Sequence, residues 1–105
     1  MLRIYPTTLL MARDAALAAS QIQRHDTDLA RQLRRAAASV PLNTAEGSGS
    51  RGGNRKARYS DALGSAYETR ACLQVAAAMG YLPEPSPEVA QRLDGIIAVL
   101  FTLTR

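Results

Sequence analysis

Gln32-Leu33-Arg34-Arg35-Ala36-Ala37-Ala38-Ser39-Val40-Pro41-Leu42-Asn43-Thr44-Ala45-Glu46-Gly47 carries an apolar and a basic pattern on one segment. Together with Leu29 upstream, Leu33, Ala36, Ala37, Val40 and Thr44 recur at helical spacing, whereas Arg31, Arg34 and Arg35 project from the other side. This is the pattern of an amphipathic bundle helix, the second of the chain, beginning near Asp28. Pro41 lies inside it and cannot donate to the carbonyl of Ala37, so it must kink the helix or start a fresh helical turn, and a kink is expected.

Upstream, Thr7 to about Arg24 has no Gly or Pro and is rich in Leu and Ala, which predicts a first helix with a poorly defined apolar stripe. His25-Asp26-Thr27 forms a short turn, where Asp26 or Thr27 can cap the second helix. Downstream, Gly47-Ser48-Gly49-Ser50-Arg51-Gly52-Gly53 predicts a flexible, exposed connection. Asn54 to Met79, interrupted only by Gly64, predicts a long third helix. One face of it carries Tyr59, Leu63, Ala66, Leu73 and Ala77; the other carries Gly64, Ala71, Cys72, Val75 and Ala78, as for a helix with neighbours on two sides, one of them another subunit. Gly80 is placed to end it in a left-handed conformation, and Pro83, Pro85 and Pro87 bar its continuation. Ser86 can then cap a fourth helix, whose buried stripe is Val89, Leu93, Ile96, Ile97, Leu100 and Leu103. No segment alternates as a strand does, so the fold class is all-α: an antiparallel four-helix bundle occupying residues 1–105 as a single domain.

At 105 residues such a chain buries only roughly two-thirds of its unfolded surface. Its apolar residues are dominated by Ala, with one Phe and no Trp, so a lone monomer is marginal and a homo-oligomer is a physical expectation. The formal charge of +4 favours polyanions, because each basic group beside a phosphate can release a condensed counterion; a solvated basic surface is the alternative. A lone Cys72 makes no internal disulfide, Met1 to Pro6 is too short for a signal peptide, and no apolar run approaches the ~20 residues of a membrane span. The expectation is a cytoplasmic protein with no membrane association.

With one His25 and one Cys72, the chain lacks the convergent ligands of a metal centre and the partners of a nucleophilic triad. The glycine-rich stretch follows a helix and lacks the Gly-Lys-Ser/Thr ending of a P-loop. These absences predict no enzymatic activity, cofactor or small-molecule substrate. Instead, Arg31, Arg34, Arg35, Arg51, Arg55, Lys56 and Arg58 fall in a stretch whose only carboxylate is Glu46, and they are candidate contacts to nucleic-acid phosphates. Aromatic interleaving is missing, since Tyr59 and Tyr67 belong to the third helix as core or interface residues. Asn43, Glu46, Glu68 and Arg70 complete the polar set. Glu68 and Arg70 sit among apolar positions, so each needs a polar partner within the bundle or across an interface, and all four suit structural pairing better than acid and base catalysis.

The stretch quoted first, with Ala62-Leu63-Gly64-Ser65-Ala66-Tyr67-Glu68 and Gly80-Tyr81-Leu82, resembles the signature of a bacterial four-helix bundle family. That family includes proteins encoded in intervening sequences of large-subunit ribosomal RNA genes and the accessory variability determinants of diversity-generating retroelements. The resemblance spans about Leu29 to Leu82 and rests on the ordered Ser-Val-Pro, Asn, Ala-Glu-Gly and Gly-Ser-x-x-Glu elements. It implies an up-and-down bundle assembled as a homopentamer, with Asn43, Glu46, Gly47, Gly64 and Glu68 as structural motif residues and Arg34, Arg35, Arg51 and Arg55 as RNA contacts. For the retroelement branch it also implies a reverse transcriptase partner. The chain departs from many relatives in its Ala-rich first helix and in Ser-Gly-Ser-Arg-Gly-Gly. Two functions compete: an RNA-binding oligomeric accessory protein, and a protein-protein scaffold whose basic charge is incidental. An enzyme acting on phosphate esters is a distant third.

Overall fold

Local sequence sets where each helix begins and ends. In the computed structural model, which describes residues 2–105, α1 spans Tyr5–Ile22 and carries Pro6 in its first turn, where a missing N–H leaves no bond unmade. α2, Thr27–Ser48, starts at Asp26, whose carboxylate accepts from the Leu29 amide at 2.9 Å. It continues across Pro41 as one helix, so the proline does not open a fresh one. α3 spans Gly52–Ala78 and ends at Gly80, where φ is +78° and two bonds, Tyr81 N–H to Ala76 O and Gly80 N–H to Ala77 O, close the last turn as a Schellman motif. α4, Pro87–Thr104, starts at Ser86, whose hydroxyl accepts from the Val89 amide at 3.3 Å. No strand occurs among the described residues.

The glycine-rich connection is the main departure from expectation. Only Gly49, Ser50 and Arg51 separate α2 from α3; Gly47 and Ser48 finish one helix, and Gly52 and Gly53 begin the next. The serines explain it. Ser50 Oγ donates to the Glu46 carbonyl, a group that the end of a helix otherwise leaves to water, and Ser48 Oγ adds a bond to the Thr44 carbonyl. The chain then reverses at Gly52, whose φ of +58° suits glycine.

The helices pack up and down in chain order, α1 on α2, α2 on α3 and α3 on α4, with α2–α3 the most extensive side and α1–α4 the thinnest. α3, at ~1.5 Å per residue, is about 40 Å long and fills the 42 Å long axis of the molecule. The core joins Met11, Ala15, Ala19 and Ile22 to Leu33, Ala37 and Val40, then to Tyr59, Ala62, Ala66, Cys72 and Leu73, and to Leu93, Ile96, Ile97 and Leu100. α1 therefore has a clear stripe, built from Thr8, Met11, Ala15, Ala19 and Ile22. Of the stripe expected on α4, Val89 is half-buried and Leu103 is exposed. Of the second α3 face, only Cys72 is buried; Gly64, Ala71, Val75 and Ala78 reach the surface. At one end of the bundle the His25 ring stacks on Tyr81, 5.1 Å between centroids, fastening the α1–α2 turn to the segment after α3. Between α1 and α4, Arg92 grips Asp14 with two bonds of 2.7 and 3.0 Å and reaches Glu88 at 3.0 Å.

Candidate nucleic-acid interface

The seven basic residues do not form one strip. Arg31, Arg34 and Arg35 lie in the first half of α2, while Arg51, Arg55, Lys56 and Arg58 surround the start of α3. Because α2 and α3 run antiparallel, the second group faces the far end of α2. Arg35 and Glu46, the latter paired with Arg58, are eleven residues or about 16 Å apart along the helix. The sequence run therefore becomes two basic clusters separated along α2 and α3.

Their charges are unevenly used. Arg31 pairs with Asp28 at 2.8 Å and Arg58 with Glu46 at 3.2 Å, both exposed pairs of the kind worth about 0.2–1 kcal/mol and easily traded for a phosphate. Arg34 donates to the Gln23 side-chain oxygen at 2.8 Å, and Arg55 donates through Nε to the Ser50 carbonyl at 2.8 Å, so both are oriented without being neutralised. Among the described residues, Arg34, Arg35, Arg51, Arg55 and Lys56 have no carboxylate partner, and all five are exposed.

Between the two clusters runs a polar seam made by the motif residues. Asn43 Nδ2 donates to Ser39 Oγ at 2.9 Å and to the Ser39 carbonyl at 3.0 Å. Ser65 Oγ donates across to Ser39 Oγ at 2.8 Å, and Gln32 Nε2 donates to Glu68 Oε2 at 3.3 Å. With Glu46–Arg58, the contacts from α2 fall at residues 32, 39 and 46, a spacing of seven that returns to one face of a helix. Glu68 is exposed on this seam instead of lying within apolar surroundings. Arg70 is likewise only half-buried; it reaches Asp94 of α4 at 3.6 Å and sits 5.3 Å from the Tyr67 ring centroid. Gly47 meets the Tyr59 ring closely, whereas Gly64 faces open space.

The Arg92–Asp14 pair had no sequence signal, since its partners are 78 residues apart and only the packing of α1 against α4 joins them. The bonds to Asp14 and then to Glu88 raise the Arg92 guanidinium above its ordinary value. Burial, and secondarily the charge of Glu68, push the Cys72 thiol up, which keeps it protonated at neutral pH. No three His, Cys, Asp or Glu side chains converge among the described residues, and no described helix is long and apolar enough to cross a membrane.

This fold and seam can be set beside known proteins. Residues 2–102 match the family model described as 23S rRNA-intervening sequence protein. The chain belongs to that family. A solved structure from Bacteroides thetaiotaomicron VPI-5482, described as a protein with unknown function from the S23 ribosomal protein family, superposes with a TM-score of 0.84. The superposition covers 97% of this chain and 98% of that one at 16% identity, a likeness of fold. No curated protein matches the chain significantly. The Ser-Val-Pro, Asn and Gly-Ser-x-x-Glu elements of this chain have a physical reading: Ser39, Asn43, Ser65 and Glu68 are side chains that make hydrogen bonds along the α2–α3 seam.

Proposed function

We propose that the protein is a non-catalytic, RNA-binding subunit of a homo-oligomer, contacting phosphates from the α2–α3 side. The observation that carries this reading is the set of five exposed cations without carboxylate partners among the described residues, Arg34, Arg35, Arg51, Arg55 and Lys56, all on α2, α3 or the turn between them in a chain with net charge +4. Phosphate contacts of this kind position a strand without reading its bases. Binding is measured over a salt series with single-stranded RNA. Arg51→Glu with Arg55→Glu removes two contacts and reduces the magnitude of the log K against log salt slope by about 1.4, since each contact contributes ~0.7. An unchanged slope and affinity overturns the proposal.

A scaffold role has support from a separate observation. Leu9, Leu10 and Leu17 of α1 and Val99, Phe101 and Leu103 of α4 are exposed, a large apolar contribution for so small a surface. Under this reading the oligomer presents helical surface to a partner protein, and the same salt series shows no RNA bound.

A further inference from the structure

The α2–α3 seam opens outward into a groove of about 530 Å³, lined by Arg31, Gln32, Arg35, Ser39, Ser65 and Glu68, and by Asp28, which is paired with Arg31. That volume is in the range of pockets that hold small organic ligands. Its chemistry is more specific than that of the surrounding basic surface. Arg31 and Arg35 are four residues apart and share a face of α2, and Arg35 has no carboxylate partner among the described residues. Glu68 faces the groove from α3, with Oε2 accepting from Gln32 and Oε1 without a hydrogen bond among the described residues. Ser39 Oγ accepts from both Ser65 and Asn43, which leaves its own hydroxyl proton uncommitted by those bonds.

A carboxylate in this position repels a phosphate, so the groove is not simply one more phosphate contact. It suits a neutral base that presents donors to Glu68 and an acceptor to the Ser39 hydroxyl, with the phosphate of its nucleotide held away from the carboxylate, on Arg35. Among the bases, guanine alone has two adjacent donors, N1–H and the N2 amino group, beside the O6 acceptor. Uracil flanks its one donor with carbonyls, and adenine and cytosine set an acceptor next to their amino group. Unpaired bases splayed from a strand are read on these edges.

We propose that this groove takes one unpaired guanine of an RNA strand, its Watson–Crick edge on the Glu68 carboxylate and its phosphate on Arg35. The inference rests on the RNA-binding reading above and adds a base preference to it.

The full chain is titrated at one fixed salt concentration, by fluorescence anisotropy, with labelled single-stranded RNAs of equal length: uridines only, or uridines with isolated guanines, adenines or cytidines. The guanine-containing strand is expected to bind about tenfold tighter than the other three, the worth of one good bidentate pair. Glu68→Gln, on an exposed residue, collapses the four affinities to within about twofold, because an amide sets a donor beside its one acceptor atom and cannot match two adjacent donors. Arg51→Glu with Arg55→Glu, at the other cluster, weakens all four strands alike and keeps their ratio. Equal binding of the four strands by the natural sequence, or a guanine preference that survives Glu68→Gln, overturns this inference alone. Binding of none of them overturns the RNA-binding proposal as well.

Discussion

Gly47 and Tyr59 stand twelve residues apart and on different helices, yet each fixes the other. A β-carbon at position 47 would lie 2.6 Å from Tyr59 Cδ1, inside any tolerable contact, and the ring is buried with little room to withdraw. Alanine is the better helix former by about 1 kcal/mol, but overpacking a buried ring costs about 1–3 kcal/mol. Gly47→Ala is therefore expected to lower stability by up to about 2 kcal/mol in urea unfolding, against the direction of helix propensity. The clash is with ring carbons, so the same loss should appear in a Tyr59→Phe background; rescue by phenylalanine would show that the Tyr59 hydroxyl, 3.5 Å from Ser48 Oγ, was the constraint. The sequence marked Gly47 as part of a glycine-rich loop and, by resemblance, as a motif residue, without the close approach that requires it. Nothing local distinguishes a glycine that permits a close approach from one that loosens the chain, because the approaching ring comes from the next helix.

The same asymmetry holds for whole elements. α2 and α4 were legible because their signals are local: an acidic or hydroxyl cap, then large apolar residues at helical spacing. α3 was legible in length and in its glycine stop. The stripe of α1 was not, because three of its five buried positions are Thr8, Ala15 and Ala19, small residues that no hydropathy pattern picks out from the alanines around them. The polar seam was half legible. Asn43, Glu46, Glu68 and Arg70 stood out as polar residues needing partners, but Gln32, Ser39 and Ser65 did not, and the pairing depends on antiparallel register. The caps give the sharpest expectation at this scale. Asp26→Ala removes the acceptor of the Leu29 amide and should cost about 1 kcal/mol, with Asp26→Ser restoring most of it, both read from chemical denaturation. An Asp26→Ala protein as stable as the natural one would mean that packing of α2, and not its cap, sets where the helix starts.

For the molecule as a whole, the decisive imbalance is between what four short helices bury and what they leave out. The core is assembled largely from alanine and medium-sized aliphatics, while leucines of α1 and the apolar end of α4 remain at the surface. After Asp94, α4 runs from Gly95 to Thr104 without a charge and is apolar on more sides than one bundle can cover. The α1–α4 side is also the thinnest of the four, and the Arg92–Asp14 pair helps to fasten it. A second copy covering these residues would offset both deficits, and stability would then depend on protein concentration because assembly is linked to folding. Phe101→Glu with Leu103→Glu places two charges on that surface without touching Leu93, Ile96, Ile97 or Leu100, the residues of α4 that hold the monomer together. In light scattering the natural chain should have a mass several times its 11.3 kDa, five times by the resemblance, and the double variant should fall towards a single chain with its helical circular dichroism largely kept. The thermal midpoint of the natural protein should rise with concentration and that of the variant should not. A variant that keeps the natural mass would place the subunit contact elsewhere, with the exposed Gly64, Ala71 and Val75 of α3 as the next surface to charge.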